Sequence, residues 1–148
     1  MTFKVVAVAP EHKDGWLAMW AGYLTFYNED LPAAQTELTW QRLLDSDFNL
    51  NGFVAVRDGT VVGLTNYSFT NSTWDEHPNI YLEDLFVDET LRGEGLGRAL
   101  IEAVTDVARA NGAQRVRWIT QNTNATARKL YDQVAELSEF VIYDRTVE

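Results

Sequence analysis

The run Arg92-Gly93-Glu94-Gly95-Leu96-Gly97 joins a strand-like stretch at residues 80–87 to an apolar-periodic stretch at residues 96–110. A strand, a glycine-rich turn and a helix start in that order constrain the fold more than any other feature of the chain. The first turn of a helix has backbone N–H groups without intrahelical partners, and the macrodipole adds partial positive charge there. Glycines at 93, 95 and 97 permit positive φ and expose backbone that a Cβ would shield. With Arg92 and Arg98 beside these donors, the segment predicts a cradle for phosphate oxygens.

Two phosphate loops do not fit. The nucleoside-triphosphate loop needs Lys-Ser/Thr after its last glycine, where this chain has Arg98-Ala99. The dinucleotide fingerprint needs G-x-G-x-x-G and an acidic residue about 20 positions further on. Here the spacing is G-x-G-x-G and the next strand ends at Gln121.

The remaining elements follow from periodicity and turn chemistry. Residues 3–8 alternate as a strand; Pro10 and Glu11 then start a helix with Trp16, Met19, Trp20, Tyr23, Leu24 and Tyr27 at three- and four-residue spacing, a stripe that predicts core. Residues 28–32 break it, and Ala33–Leu44 reads as a second helix, followed by a polar turn at 45–51. Strands at 53–57 and 60–69 flank Asp58-Gly59, the pair that supplies a two-residue hairpin turn. A polar connector at 71–79 carries Trp74, His77 and Pro78 and is placed to line a mouth; strand character resumes at 80–87.

The helix at 95–111 carries Leu96, Leu100, Ala103, Val104 and Val107 on one face and stops at Asn111-Gly112. Residues 115–120 read as a fifth strand, Asn122 or Thr123 as the cap of a helix to about Ala135, and residues 140–144 as a last strand. The order is β, α, α, β, β, β, α, β, α, β in one domain, residues 1–148.

Composition narrows the chemistry. With 46% apolar residues and no run long enough to span a bilayer, the chain predicts a soluble globule without membrane contact. The N-terminal segment lacks a secretory h-region, which predicts a cytoplasmic protein. Zero cysteines exclude a thiol nucleophile. A net charge of −10 argues against a nucleic-acid partner and would steer a cationic substrate inward. His12 and His77 lack a second ligand at i+3 or i+4, so no metal site is expected; His77 alone is placed to touch an acceptor.

Asn124-Ala125-Thr126-Ala127-Arg128-Lys129-Leu130-Tyr131 reads N-x-x-A-x-x-L-Y some thirty positions after the R-x-x-G-x-G loop. Together the two resemble the GNAT superfamily of acetyl-CoA-dependent N-acetyltransferases. Tyr81-Leu82-Glu83-Asp84-Leu85-Phe86-Val87 is similar to the branch holding polyamine and histone acetyltransferases. The likeness is strong over residues 80–143 and only architectural over the first 75. It implies an α/β (α+β) fold, a mixed, mostly antiparallel sheet splayed near its centre and flanked by about four helices. It also departs in one place: a glycine common in the family after the tyrosine is replaced by Gln133-Val134-Ala135-Glu136.

What the resemblance implies about chemistry is direct transfer of an acetyl group from acetyl-CoA to a primary amine, with a polyamine or lysine side chain as the leading acceptor. The pyrophosphate would sit on Arg92, Gly93, Glu94, Gly95, Leu96, Gly97 and Arg98, and the pantetheine arm on the main chain of Leu85, Phe86 and Val87, with Asn124, Ala127 and Tyr131 facing it. Within that loop the Glu94 carboxylate must point to solvent, because a diphosphate would repel it.

An alkylamine of pKa about 10.4 needs a base. Adjacent strand residues face opposite sides, so Glu83 and Asp84 both reach the site only if a bulge rotates one of them; the resemblance favours Glu83 and keeps Asp84. Tyr131 lies two helical turns after Asn124 and is the general-acid candidate, since a phenol stays protonated at neutral pH. A backbone N–H near Leu85 is the expected oxyanion donor. Tyr27, Glu29 and Asp30, where the first helix breaks, would roof the acceptor with Glu83 and His77. The alternatives are an acyl-CoA-binding sensor without turnover and an acetyltransferase for a small antibiotic or amino-acid-type amine. The apolar terminal strand at 140–143 would need cover, which predicts a homodimer.

Overall fold

The computed structural model describes residues 2–148. Its framework is a five-stranded sheet of β1 (Lys4–Ala7), β2 (Asn51–Arg57), β3 (Thr60–Thr70), β4 (Asn79–Val87) and β5 (Val116–Arg117), in spatial order β1-β2-β3-β4-β5. The first three pairings are antiparallel and the last is parallel. Four helices cover it: α1 (Lys13–Phe26), α2 (Ala33–Leu44), α3 (Leu96–Ala110) and α4 (Ala125–Val134). No helix among the described residues is long and apolar enough to cross a membrane.

Alternation along the strands divides the apolar residues between two layers. On one face Val54, Val61 and Leu64 meet Trp16 and Trp20 of α1 and Trp40 and Leu43 of α2. Trp16 is fully buried, stacked on Trp20 at 5.1 Å and tilted against Trp40 at 5.6 Å. Trp16, Met19, Trp20, Tyr23 and Leu24 of the first helix's stripe pack in the core, as their spacing predicts, whereas Tyr27 at its end lines a cleft instead. On the other face Ala55, Val62, Ile80 and Leu82 meet Leu96, Leu100, Ile101, Val104 and Ala108 of α3.

The turn chemistry reads through directly. Asp58 and Gly59 have φ of 51° and 78°, the left-handed pair of the hairpin, and Gly112 with φ of 71° follows α3. Asn28, φ 54°, ends α1, where the N–H of Glu29 closes on the carbonyl of Leu24 at 2.9 Å.

Two strands differ from expectation. The fifth is Val116–Arg117 alone; beyond it Trp118 sets its ring edge-on to Tyr131 at 5.4 Å. The last strand does not form. The chain leaves α4 at Ala135 in an extended conformation, φ −150° and ψ −179°, where a glycine would have permitted a left-handed reversal. The two-residue β5 also offers almost no edge to pair with. Phe140, Val141, Ile142 and Tyr143 are therefore exposed and hold no ladder bonds, which removes the edge-strand basis for a homodimer.

Candidate active site

The feature that positions everything else is the parting of β4 from β5. They pair only at Ile80–Val116 and Tyr81–Arg117, so from Leu82 onward the β5-facing edge of β4 has no ladder partner. Into this gap opens a cleft of about 380 Å³, walled by Leu85, Phe86 and Val87 on one side and by Asn124, Ala127, Leu130 and Tyr131 of α4 on the other. Unpaired main-chain N–H and C=O groups along one wall suit an extended, amide-bearing ligand.

The floor is the β4–α3 loop. Asp88 shapes it by accepting from the backbone N–H of Thr90 at 2.9 Å and from its hydroxyl at 2.8 Å. Gly93 and Gly95 have φ of 84° and 85°, a region where a Cβ is strained. No side chain caps the N-terminus of α3, so its first-turn donors remain unspent where Gly95, Leu96, Gly97 and Arg98 line the cleft. An uncapped N-terminus opening onto a cleft fits an anionic group. Gly97 has a second reason: a Cβ there would lie 2.9 Å from Cδ2 of Leu130, so its absence lets α4 close over α3.

The charged residues of the loop divide. Arg92 lines the cleft and is loosely paired with Glu89 at 3.6 Å. Arg98 donates to Oε1 of Gln133 at 2.6 Å, tying α3 to α4. Glu94 is turned out of the cleft, its carboxylate held by Nη1 of Arg57 at 3.0 and 3.2 Å. Only its backbone can serve an anion, in agreement with the repulsion argument that turns its carboxylate away. Asn124 caps α4, its Oδ1 accepting from the N–H of Ala127 at 3.3 Å.

A bulge lies where the two adjacent carboxylates occur. Asn66 pairs with Asp84 and Tyr67 with Leu82, so Glu83 is the extra residue of β4. Such an insertion rotates the strand locally and upsets strict alternation. Glu83 is exposed and accepts from Oγ of Ser68 at 2.9 Å. Asp84 is half-buried, accepts from Nδ2 of the fully buried Asn66 at 3.0 Å and faces the Tyr23 phenol. Burial raises the Asp84 carboxyl above the ordinary carboxylate range; Asn66 and Tyr23 pull it back down, and Glu83 adds to the rise. The effect on Tyr23 is also upward, from burial first and the Asp84 charge second.

Tyr27, at the end of α1, completes the site. It lines the cleft with Tyr131 and stands edge-on to Tyr23 at 5.0 Å. Burial, with a smaller contribution from the Tyr27 phenol, pushes the Tyr131 hydroxyl up to about 12, so it is protonated at any working pH. Glu29 and Asp30 follow Tyr27 on the exposed loop, outside the cleft wall. His77 is not brought to the cleft. It precedes the start of β4, with its ring over Gly112 and its N–H bonded to Asp75, at the opposite end of the strand from Leu85. Its assignment to the acceptor roof is therefore withdrawn.

Sequence reasoning missed Tyr23 and Asn66. Tyr23 is indistinguishable from its stripe neighbours until β4 is laid against α1. Asn66 did leave a signal, an amide in the middle of a strand, where such residues are depleted.

The sequence pattern of the Acetyltransferase (GNAT) family matches residues 16–135. A D-amino-acid N-acetyltransferase of Saccharomyces cerevisiae is 32% identical over 143 residues, covering 95% of this chain and 89% of the relative. A thialysine N-epsilon-acetyltransferase of Caenorhabditis elegans is 26% identical over 132 residues, covering 89% and 81%. Among solved structures, AAC(6')-Iy in complex with the bisubstrate analogue CoA-S-monomethyl-acetylneamine superposes with a TM-score of 0.86 at 22% identity over 99% of both chains, a likeness of fold.

Proposed function

The chain belongs to the GNAT acetyltransferase family, and from that premise we propose which of its residues serve each step of transfer from acetyl-CoA and what kind of amine receives the group. The fold and the N-acetyltransferase activity come with the family. The acceptor we infer is a primary amine on a cationic molecule, a polyamine or a lysine-type side chain.

One observation carries this reading: the uncapped α3 N-terminus opens into a cleft whose wall is the unpaired edge of β4, with Tyr131 lining it and Asp84 preceding the wall residue Leu85 on β4. When bound there, acetyl-CoA supplies an activated acyl group on sulfur. The N–H groups of residues 95–98, with Arg92, hold phosphate oxygens. The free edge at Leu85, Phe86 and Val87 receives amide groups, and a main-chain N–H near Leu85 is the donor to the developing oxyanion.

Asp84 is the base we favour over Glu83. Its carboxyl is half-buried beside the cleft residues Leu85 and Phe86, and its raised proton affinity brings it nearer that of the amine it must deprotonate. Glu83, Glu29 and Asp30 are exposed carboxylates whose charge draws the cation in. Tyr131 is the acid. Its proton, held to about pH 12, is shared with the departing sulfur through a hydrogen bond rather than surrendered ahead of it.

We also take the enzyme to act in the cytoplasm as a homodimer. Leu137, Val141 and Ile142 are exposed, an apolar stretch that a second copy would cover. Light scattering giving twice the 16.8 kDa chain mass would agree, and a monomer would not.

The test is thiol release from acetyl-CoA against polyamines, lysine peptides and neutral-bodied amines. Turnover on cations that falls with Tyr131→Phe supports the reading. Cofactor binding without turnover on any amine would favour a sensor instead.

A further inference from the structure

A second cavity, about 430 Å³, lies at the end of the sheet away from the phosphate loop, between the β3–β4 connector and β5. Nothing in the transfer chemistry above uses it. Arg115 and Arg117 line it, and neither has an ion-pair partner among the described residues. In a chain of 22 acidic and 12 basic residues, two neighbouring guanidiniums left unpaired in one cavity are unspent anion-binding capacity.

The cavity also holds negative partners. Asp75 lines it, its carboxyl kept below the usual range chiefly by the His77 backbone N–H, so it is ionised. Asn79 lines it too, and its amide oxygen is buried without a hydrogen-bond partner. Trp74, 94% exposed, stands at the rim. Two cations facing a carboxylate and an unspent amide oxygen complement a zwitterion, not a simple cation or a simple anion.

The distance to the acetyl-transfer site fits the same idea. Arg117 shares a rung with Tyr81 in the β4–β5 pairing, and Tyr81 pairs with Ser68 while Asp84, past the bulge, pairs with Asn66, two residues along β3 or about 7 Å at the rise of a strand. Their β3 partners Ser68 and Asn66 are two residues apart, so Tyr81 and Asp84 lie on the same face of the sheet. That span suits a lysine-length side chain.

We propose that this cavity is the head-group site of the acceptor: Arg115 and Arg117 take the α-carboxylate of a free diamino acid, Asp75 and Asn79 take its α-ammonium, and its side chain runs along β4 to present the distal amine at Asp84. The proposal rests on the acetyl-transfer reading of the cleft and adds the residues that select among cationic acceptors.

The experiment compares lysine with 1,5-diaminopentane, which lacks only the carboxylate, in the wild type and in the Arg115→Gln/Arg117→Gln variant. Both arginines are exposed, so the variant keeps the core. Charged hydrogen bonds of this kind predict a wild-type preference in kcat/KM for lysine of about tenfold or more. The variant should lose it through a higher KM for lysine, with the diamine unchanged. Equal selectivity in the two proteins, or a wild-type preference for the diamine, overturns the proposal. Turnover of neither amine would defeat the parent reading, and Trp74 then reports on the cavity directly. A lysine-dependent change in the emission difference between wild type and Trp74→Phe, absent in the double arginine variant, upholds the head-group site; no lysine response overturns it.

Discussion

Tyr131→Phe tests the chemistry with the smallest structural change, because it deletes one oxygen from a ring already packed edge-on to Trp118. The hydroxyl is protonated to about pH 12, while a thiol titrates near 8.5. At 1.36 kcal/mol for each pKa unit, complete transfer of the proton to sulfur is uphill by about 5 kcal/mol. The phenol therefore helps most as a hydrogen-bond donor to developing negative charge, worth about 1.5–3 kcal/mol. The expected loss in kcat is about 10- to 150-fold, at the low end of general-acid effects. Thiol release at saturating acceptor gives kcat, and a thermal melt gives stability, which should stay within about 0.5 kcal/mol because the ring contact survives. The wild-type rate should also rise with pH as the amine deprotonates, with no alkaline fall from Tyr131 below about pH 12. A variant retaining more than a third of wild-type kcat would sink the acid assignment. An alkaline limb near pH 9 that vanishes in the variant would instead overturn the raised proton affinity of Tyr131.

Three further outcomes follow from particular contacts. Asp84 has a raised folded-state pKa, so its contribution to stability is full below the unfolded value near 3.8 and is lost as pH rises through the folded value. Asp84→Asn should therefore melt higher than wild type at pH 7, with the gap closing toward pH 4, while turnover collapses; a gap that widens toward acid contradicts the burial argument. Gly15→Ala places a Cβ 2.6 Å from Cβ and Cγ2 of Val61, and overpacking of about 1–3 kcal/mol should outweigh the helix-propensity gain, lowering the urea midpoint. Gly95→Ala meets no atom within 4 Å, so its cost is conformational, about 1–2 kcal/mol for φ of 85°. It should also raise the KM for acetyl-CoA, measured at fixed amine; an unchanged KM would separate the loop from phosphate binding.

The strands, helices and turns that rest on local chemistry were legible in the residues. Asp58-Gly59, Asn28 and Gly112 announced their turns because few residues tolerate positive φ, and the tryptophans of α1 announced core by their spacing. The terminal strand was not legible, since residues 140–143 carry strand propensity but strand formation needs an edge to pair with, and β5 ends at Arg117. At the site, the glycine-rich turn and the start of α3 were readable because glycines and helix starts act locally. The roles of Glu83 and Asp84 were not, because alternation alone assigns them to opposite faces.

Sequence by itself thus determined the glycine-rich turn before α3, the element order as far as α4 and the presence of two adjacent carboxylates on β4, all properties of neighbours along the chain. The tertiary structure alone decided which carboxylate is buried, through a bulge whose register depends on β3; where Glu94 points, through Arg57 on β2; and that Arg115, Arg117, Asp75 and Asn79 meet around one cavity. Each of those is a relation between residues distant in sequence, set by strand pairing and packing that local propensity does not encode.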